Sequence, residues 1–418
     1  MVTNRIALFL LFLLTSLFSS AQFPVLPSDT IVDLTERYKN RIQLTGDFDY
    51  NANSLLNELP LALLQGGYID RVLRQRSLDA VRKKDNNRAG YVLSTRLSWK
   101  GQNWFLGHRN WRPLISFSHQ DQMGLKFADD LFDVTFFGNA SFEGQRADLG
   151  PTAYKQTRFQ TAGFGIQFRE TASYVRLDIV NGQSLTDINA KWAGLFTGED
   201  GRILRATING KFLQSDTAGS ELGRKNGLGA AVSGGWSTEL QRTELRTFLA
   251  FEVINLGFVH WNGNAVNLEK DTVILYDGIR VTNILDLDNA LTGTAQLQDT
   301  FGLSYRTEGT TTLLPFQIRG AITTQLNARW TGTFTLDQRY LPGYVPQISA
   351  SSTRRLGAHA LLGMSISYGG FGGLRVGLAS KIRIGQHVLV TVGTPHLPGF
   401  LMGSMRGAGA QFGLVVGF

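Results

Sequence analysis

Apolar side chains recur at every second position in eight separated stretches of this chain, and few folds can use such a pattern. The stretch "AGAQFGLVVGF" shows it most cleanly. Ala410, Phe412, Leu414, Val416 and Phe418 share one parity, and Gln411, Gly413, Val415 and Gly417 the other. Successive side chains of a β-strand point to opposite faces, so each stretch builds a strand with one apolar face. The other stretches are 42–50, 93–100, 161–169, 204–212, 244–253, 329–339 and 362–368. Most run to about nine to eleven residues, the reach of a tilted strand across a bilayer and more than the usual globular strand. Turn signals divide them, among them Lys100-Gly101-Gln102-Asn103, Glu199-Asp200-Gly201 and the glycines from Gly369 to Gly373.

The polar parity decides between a soluble sandwich and a membrane barrel. It carries Arg205, Lys211, Arg246, Glu252, Arg329, Asp337 and Arg339 within or beside the strands. An arginine facing lipid at the bilayer midplane costs about 2–4 kcal/mol, so these residues are expected to line a wet interior. A two-sheet sandwich would use shorter strands. Two long uncharged stretches, 356–374 and 384–405, are broken by glycines or by Pro395 and Pro398, so neither is the apolar 20-mer of a membrane helix. Lipid tolerates no open sheet edge, which leaves a closed barrel. The expected fold is therefore all-β, a transmembrane antiparallel β-barrel of about 14 strands, with 12–16 as the range, and a short helical segment near the N-terminus.

The opening residues, "MVTNRIALFLLFLLTSLFSSAQ", place Arg5 before an apolar run from Ile6 to Phe18, followed by Ser19-Ser20-Ala21. This reads as a signal peptide over 1–21, too short to span a bilayer, with a single barrel over 22–418. The destination is the outer membrane, with outer-membrane lipid and the barrel-assembly machinery as partners. Phe412, Leu414, Val416 and Phe418 are read as the membrane-insertion signal, a strand offering its edge to that machinery. Without cysteine, no disulfide holds the chain together.

Residues 54–84 break the alternation. Tyr68, Val72, Leu73 and Val81 fall at helical spacing, with Arg71, Arg74, Arg76, Arg82, Lys83 and Lys84 on the remaining positions. The segment reads as a helical insert packed on the barrel end, a plug inside the pore, or a helix on the membrane surface. Residues 286–300 read as a long loop. The formal charge of +8, from 41 Lys plus Arg against 33 Asp plus Glu, is spread along the chain and forms no aromatic-interleaved nucleic-acid patch.

Chemistry is sparse. No two of the six histidines stand at i, i+3 or i, i+4, so no helical metal pair exists. There is no G-x-S-x-G elbow, the Gly369 cluster lacks phosphate-loop spacing, and the carboxylates are scattered. The reading is a non-enzymatic protein with no cofactor and no metal.

The segment 251–281 carries Leu256, Gly257, Phe258 and Trp261 in an "LGF-x-x-W" element. This element, the later "GGFG" at 369–372, the glycine-rich ending with a final aromatic and the leader ending in Ala-Gln resemble an uncharacterised family of Bacteroidota outer-membrane barrels. That family is similar to long-chain fatty-acid transporters and to the barrel partners of type IX secretion and gliding machinery. The resemblance supplies no catalytic residue. Gly257 is expected to allow close backbone approach or a bulge, so that Phe258 and Trp261 anchor the next loop at an interface or stand as girdle aromatics.

Two functions follow from a barrel of this kind. One is a passive channel or transporter for small or hydrophobic solutes. The alternative is a scaffold for a secreted or surface protein. The lumen separates them: transport needs a continuous path or an apolar pocket, whereas a scaffold can be plugged and carry long ordered loops.

Overall fold

Alternating strands exhaust their hydrogen bonds only by closing into a ring, and fourteen of them do so here. The computed structural model describes residues 38, 40–276 and 306–418, except 65, 67, 103–104, 169–172, 200, 202, 217–218, 220, 241–244, 358 and 402–404. The leader at 1–21 and the loop at 286–300 lie outside the described residues. In chain order the first strands are β1 Arg41–Ala52, β2 Asn87–Lys100, β3 Trp111–Phe127, β4 Arg146–Asp148, β5 Thr152–Phe168 and β6 Tyr174–Thr197. Next come β7 Leu204–Gln214, β8 Gly227–Leu240, β9 Thr247–Trp261, β10 Val266–Tyr276, β11 Arg306–Thr307, β12 Thr310–Leu313 and β13 Gln317–Gln325. The last are β14 Trp330–Arg339, β15 Val345–Leu356, β16 Ala360–Gly370, β17 Arg375–Ile384, β18 Val388–Thr394 and β19 Gly407–Gly417.

The ring runs β1, β2, β3, β5, β6, β8, β9, β13, then β14 to β19 in order, with every neighbour antiparallel. Strand β19 closes it on β1, in register from Arg41–Gly417 to Asn51–Gly407. An even number of staves puts Arg41 and Gly417 at one end. That end carries short turns such as 326–329 and 385–387, and the other carries the long connections 53–86 and 262–316. Short turns at one end and long loops at the other are the habit of membrane barrels.

The outer wall changes chemistry at one height. Phe117, Ala162 and Ile179 stand in register across β3, β5 and β6 and face outward. The next outward row toward the long-loop end is His119, Gln160 and Asn181, also in register. Above that row β3, β5 and β6 continue for several residues. They are 17, 17 and 24 residues long, more than the 9–11 or so a bilayer requires. The far half of β6 stays paired with β5 as far as Ala190 but exchanges β8 for β7 on its other side. Its residues Thr186–Thr197 pair with β7, and β7 pairs with β10, forming an extension beyond the barrel.

This corrects two expectations. Arg205 and Lys211 lie on β7, in the extension, and do not line the lumen. Local alternation is the same in an extension as in a stave, so parity alone could not separate them.

Among the described residues, three α-helices sit at the long-loop end: α1 Glu58–Leu64, α2 Arg71–Arg82 and α3 Asp129–Phe137. Asp70 caps α2 by accepting from the Leu73 amide at 2.6 Å. Leu59, Leu78 and Val81 pack with Phe132 of α3 and Phe127 of β3, and Arg82 pairs with Asp133 at 2.6 Å. Phe127 shares the outward parity of Phe117, so these helices pack against the outward face of β3 at its long-loop end. A short helix, α4 Leu397–Leu401, lies between β18 and β19.

Candidate functional site

The barrel interior gathers several charged side chains away from water. Asp47 and Asp49 sit opposite Gln411 and Gly409, on the parity of β1 and β19 that faces inward. Arg319, Asp337 and Arg339 face inward from β13 and β14, and Arg375 from the start of β17. Their strands point apolar residues such as Ile318, Phe334, Leu336 and Leu378 the other way, and burial of that face in lipid fixes the phase.

These side chains form a ladder in two groups. Asp49 takes His396 Nε2 at 2.7 Å and Arg375 at 3.4 Å. Asp337 takes Arg319 Nε at 3.3 Å, Arg339 at 3.8 Å and the Tyr344 hydroxyl at 2.7 Å, and also accepts from Gln317. Arg319 reaches on to Glu252 at 3.7 Å, which accepts from the Tyr174 hydroxyl at 2.5 Å. Tyr344 lies in the turn after β14. Burial, then the neighbouring Asp337 carboxylate, hold its phenol far above the ordinary range, so it remains a donor.

The two groups face one space across the lumen. Asp47, Asp49, Val92, Arg319, Asp337 and Arg375 line one cavity of about 50 Å³, with room for roughly three to five waters. Val92 belongs to β2 and Arg319 to β13, six staves apart in a ring of fourteen. A second polar chain also spans the interior: Arg176 pairs with Asp178 at 2.8 Å, and Asn255 of β9 donates to Gln120 of β3 at 3.0 Å. Beside it Phe159, Val180, Leu185, Val259, Trp261 and Leu314 form an apolar cluster.

Two turns of the long-loop end fold inward over this level. Phe371, after β16, seats on Gly90 of β2, where any Cβ would overlap its ring. Arg88 fastens the same turn by donating to the carbonyls of Phe371 at 3.1 Å and Gly372 at 3.2 Å. The turn after β14 seats on Gly124 of β3, whose Cβ would stand 2.5 Å from the Pro342 carbonyl oxygen. Glycine is required at both points because a backbone or ring occupies the space of a side chain.

Glu252, Asp337 and Arg339 are thus brought together inside the barrel. Arg246 stands in the turn before β9, paired with Glu239 at 2.7 Å and 5.2 Å above the Phe248 ring. Arg329 lies exposed in the turn before β14. Phe412, Leu414, Val416 and Phe418 all point outward from β19. In the motif, Leu256 and Phe258 face outward, but Trp261 is fully buried and donates to Thr312 Oγ1 at 2.8 Å. Trp261 is therefore no girdle aromatic. Three residues separate it from Phe258, an odd step that turns it to the inner face. Gly257 stands with its Cα-side space filled by Ala231 of β8, two positions past the left-handed Asn255.

Spacing along the chain does not single out Asp47, Asp49, Arg319, Arg375 or His396. The strand 317–325 alternates weakly, since Gly320 replaces an apolar residue, and His396 lies in a connection. The signal available was the polar parity of β1.

A model of a family of unknown function, DUF5723, matches residues 72–392, most of the chain. The chain belongs to that family. Among solved structures, the DUF5723 barrel is similar to a mutant of the TodX monoaromatic hydrocarbon channel, with 12% identity over 91% of this chain and 89% of that one, and a TM-score of 0.41. It is similar to the P. putida toluene transporter TodX, with 11% identity over 91% and 90% and a TM-score of 0.39. It is also similar to a mutant porin of Rh. blastica, with 8% identity over 91% and 99% and a TM-score of 0.27. No curated protein gives a significant match. The register of the fourteen staves, and not these likenesses, defines the DUF5723 fold here.

Proposed function

We propose that this protein is a non-enzymatic outer-membrane barrel, closed at rest, that acts as a scaffold for a secreted or surface protein. Its short-turn end faces the periplasm and its long-loop end the outside. The observation that carries the reading is that two charged groups, Asp49 with Arg375 and His396, and Asp337 with Arg319 and Arg339, line one cavity across the lumen of only about 50 Å³. A lumen narrowed in this way suits a support better than a path, and its charges disfavour hydrophobic solutes. The long-loop end supplies a platform, from the α1–α3 cap to the β6–β7–β10 extension.

The test is conductance of the full chain in planar bilayers, together with swelling of proteoliposomes in small sugars. A silent barrel is expected. Steady ohmic conductance would replace the scaffold with the second reading, a narrow passive conduit for small polar solutes. The charged cavity is the feature that favours that second reading.

A further inference from the structure

A second cavity, about 350 Å³, opens at the short-turn end between the turns 326–329 and 356–359, and its wall is Arg329, Arg354, Arg355, Leu356 and Gly357. We propose that this cleft binds the phosphate headgroup of an anionic phospholipid of the adjoining leaflet. The inference rests on the membrane reading above.

Three observations converge on a lipid. The first is charge. The consecutive strand ends and turns 326–329, 354–359 and 383–387 contain Arg329, Arg354, Arg355 and Arg383 and no Asp or Glu, so the wall of the cleft holds three arginines and no carboxylate. The second is position. Arg354 shares the outward parity of β15 and lies 5.4 Å above the ring of Trp330, itself an exposed outward aromatic at the strand end. Tryptophan in that place marks the interface between hydrocarbon and headgroups. The third is the shape of the wall leading to it. Outward from β15 stand Ala350 and Ser352, small residues in register with Phe334 and Gly332 on β14 and with Ile366 and Met364 on β16. Phe334, Met364 and Ile366 are exposed, so they border a shallow trough that runs along the lipid-facing wall to Arg354. Leu326 and Leu356, also exposed, flank its mouth.

A soluble anion or an acidic peptide would use the arginines and leave the trough without a role. A phospholipid uses both: an acyl chain on the small residues and a phosphate among the guanidiniums. The site therefore selects for a diester phosphate carried on a hydrocarbon chain, with net negative charge, over a zwitterionic headgroup.

The experiment is native mass spectrometry of the full chain released from detergent micelles doped with equal phosphatidylglycerol and phosphatidylcholine. Retained phosphatidylglycerol is expected on the wild type, falling by roughly tenfold or more in the variant R329Q/R354Q/R355Q while heat-modifiable mobility is unchanged. Should that variant fail to fold, R329Q/R355Q alone is expected to lower retention several-fold, because Arg354 keeps its place on Trp330. Equal retention of both lipids, or undiminished phosphatidylglycerol on a folded variant, overturns the proposal. Displacement by soluble glycerol phosphate at matched concentration overturns it too, in favour of a free-phosphate site. A conducting barrel that still retains phosphatidylglycerol would remove the scaffold reading and leave this one standing.

Discussion

Replacing Asp337 with alanine tests whether the ladder inside the barrel is as dry as its geometry implies. The carboxylate is 8% exposed and holds Arg319, Arg339, Tyr344 and Gln317 at once. In Asp337→Ala, Arg319 keeps Glu252 at 3.7 Å, but Arg339 loses the carboxylate at 3.8 Å and is left with Asp47 and Asp49 across the cavity, its side chain only 17% exposed. Breaking a buried pair from one side costs about 3–5 kcal/mol, mostly the penalty of the charge left behind. Urea unfolding of detergent-refolded barrel, followed by tryptophan fluorescence, should show a loss of that size. The double variant Asp337→Leu/Arg339→Met removes both charges and should recover most of it, since apolar replacements of a whole buried pair are often neutral. A loss under about 1 kcal/mol in Asp337→Ala, the range of solvent-exposed pairs, would show that water screens the ladder and that the lumen is open at this height.

Three further outcomes are expected. Gly90→Leu should drive the Phe371 ring from its seat, costing about 1–3 kcal/mol and exposing the turn to chymotrypsin added from the long-loop side; continued protection at Phe371 would contradict the wedge. Gly257→Val places a side chain 2.5 Å from the Ala231 Cα and should block formation of the heat-modifiable barrel; normal mobility on gels would show that β8 yields. Deleting Phe418, whose side chain is 56% exposed, removes at most about 1.5–3 kcal/mol of burial, so membrane-inserted yield should fall far more than the denaturant midpoint. An unchanged yield with a sharply lowered midpoint would make Phe418 a packing residue.

What the sequence determined by itself was the phase of the strands. Phe412, Leu414 and Val416 face outward, and Glu252, Asp337 and Arg339 face inward, because a one-residue slip would turn every side chain of a strand to the wrong medium. The existence of helices in 54–84 was equally local, written in a 3.6-residue spacing and a capping Asp70. Which strands close the ring was not local. Strand β7 alternates as well as any stave, yet it pairs with β10 above the barrel, and Arg205 and Lys211 went with it. Only the tertiary structure decided which charges meet. Asp49 finds His396 and Arg375 more than three hundred residues away, and Gly90 finds Phe371 at a similar remove, contacts set by ring closure and by the inward fold of two turns. Alternation tells a side chain which side of the wall it occupies; the partner across the lumen depends on strand number, stagger and loop path, and no periodicity along one strand encodes those.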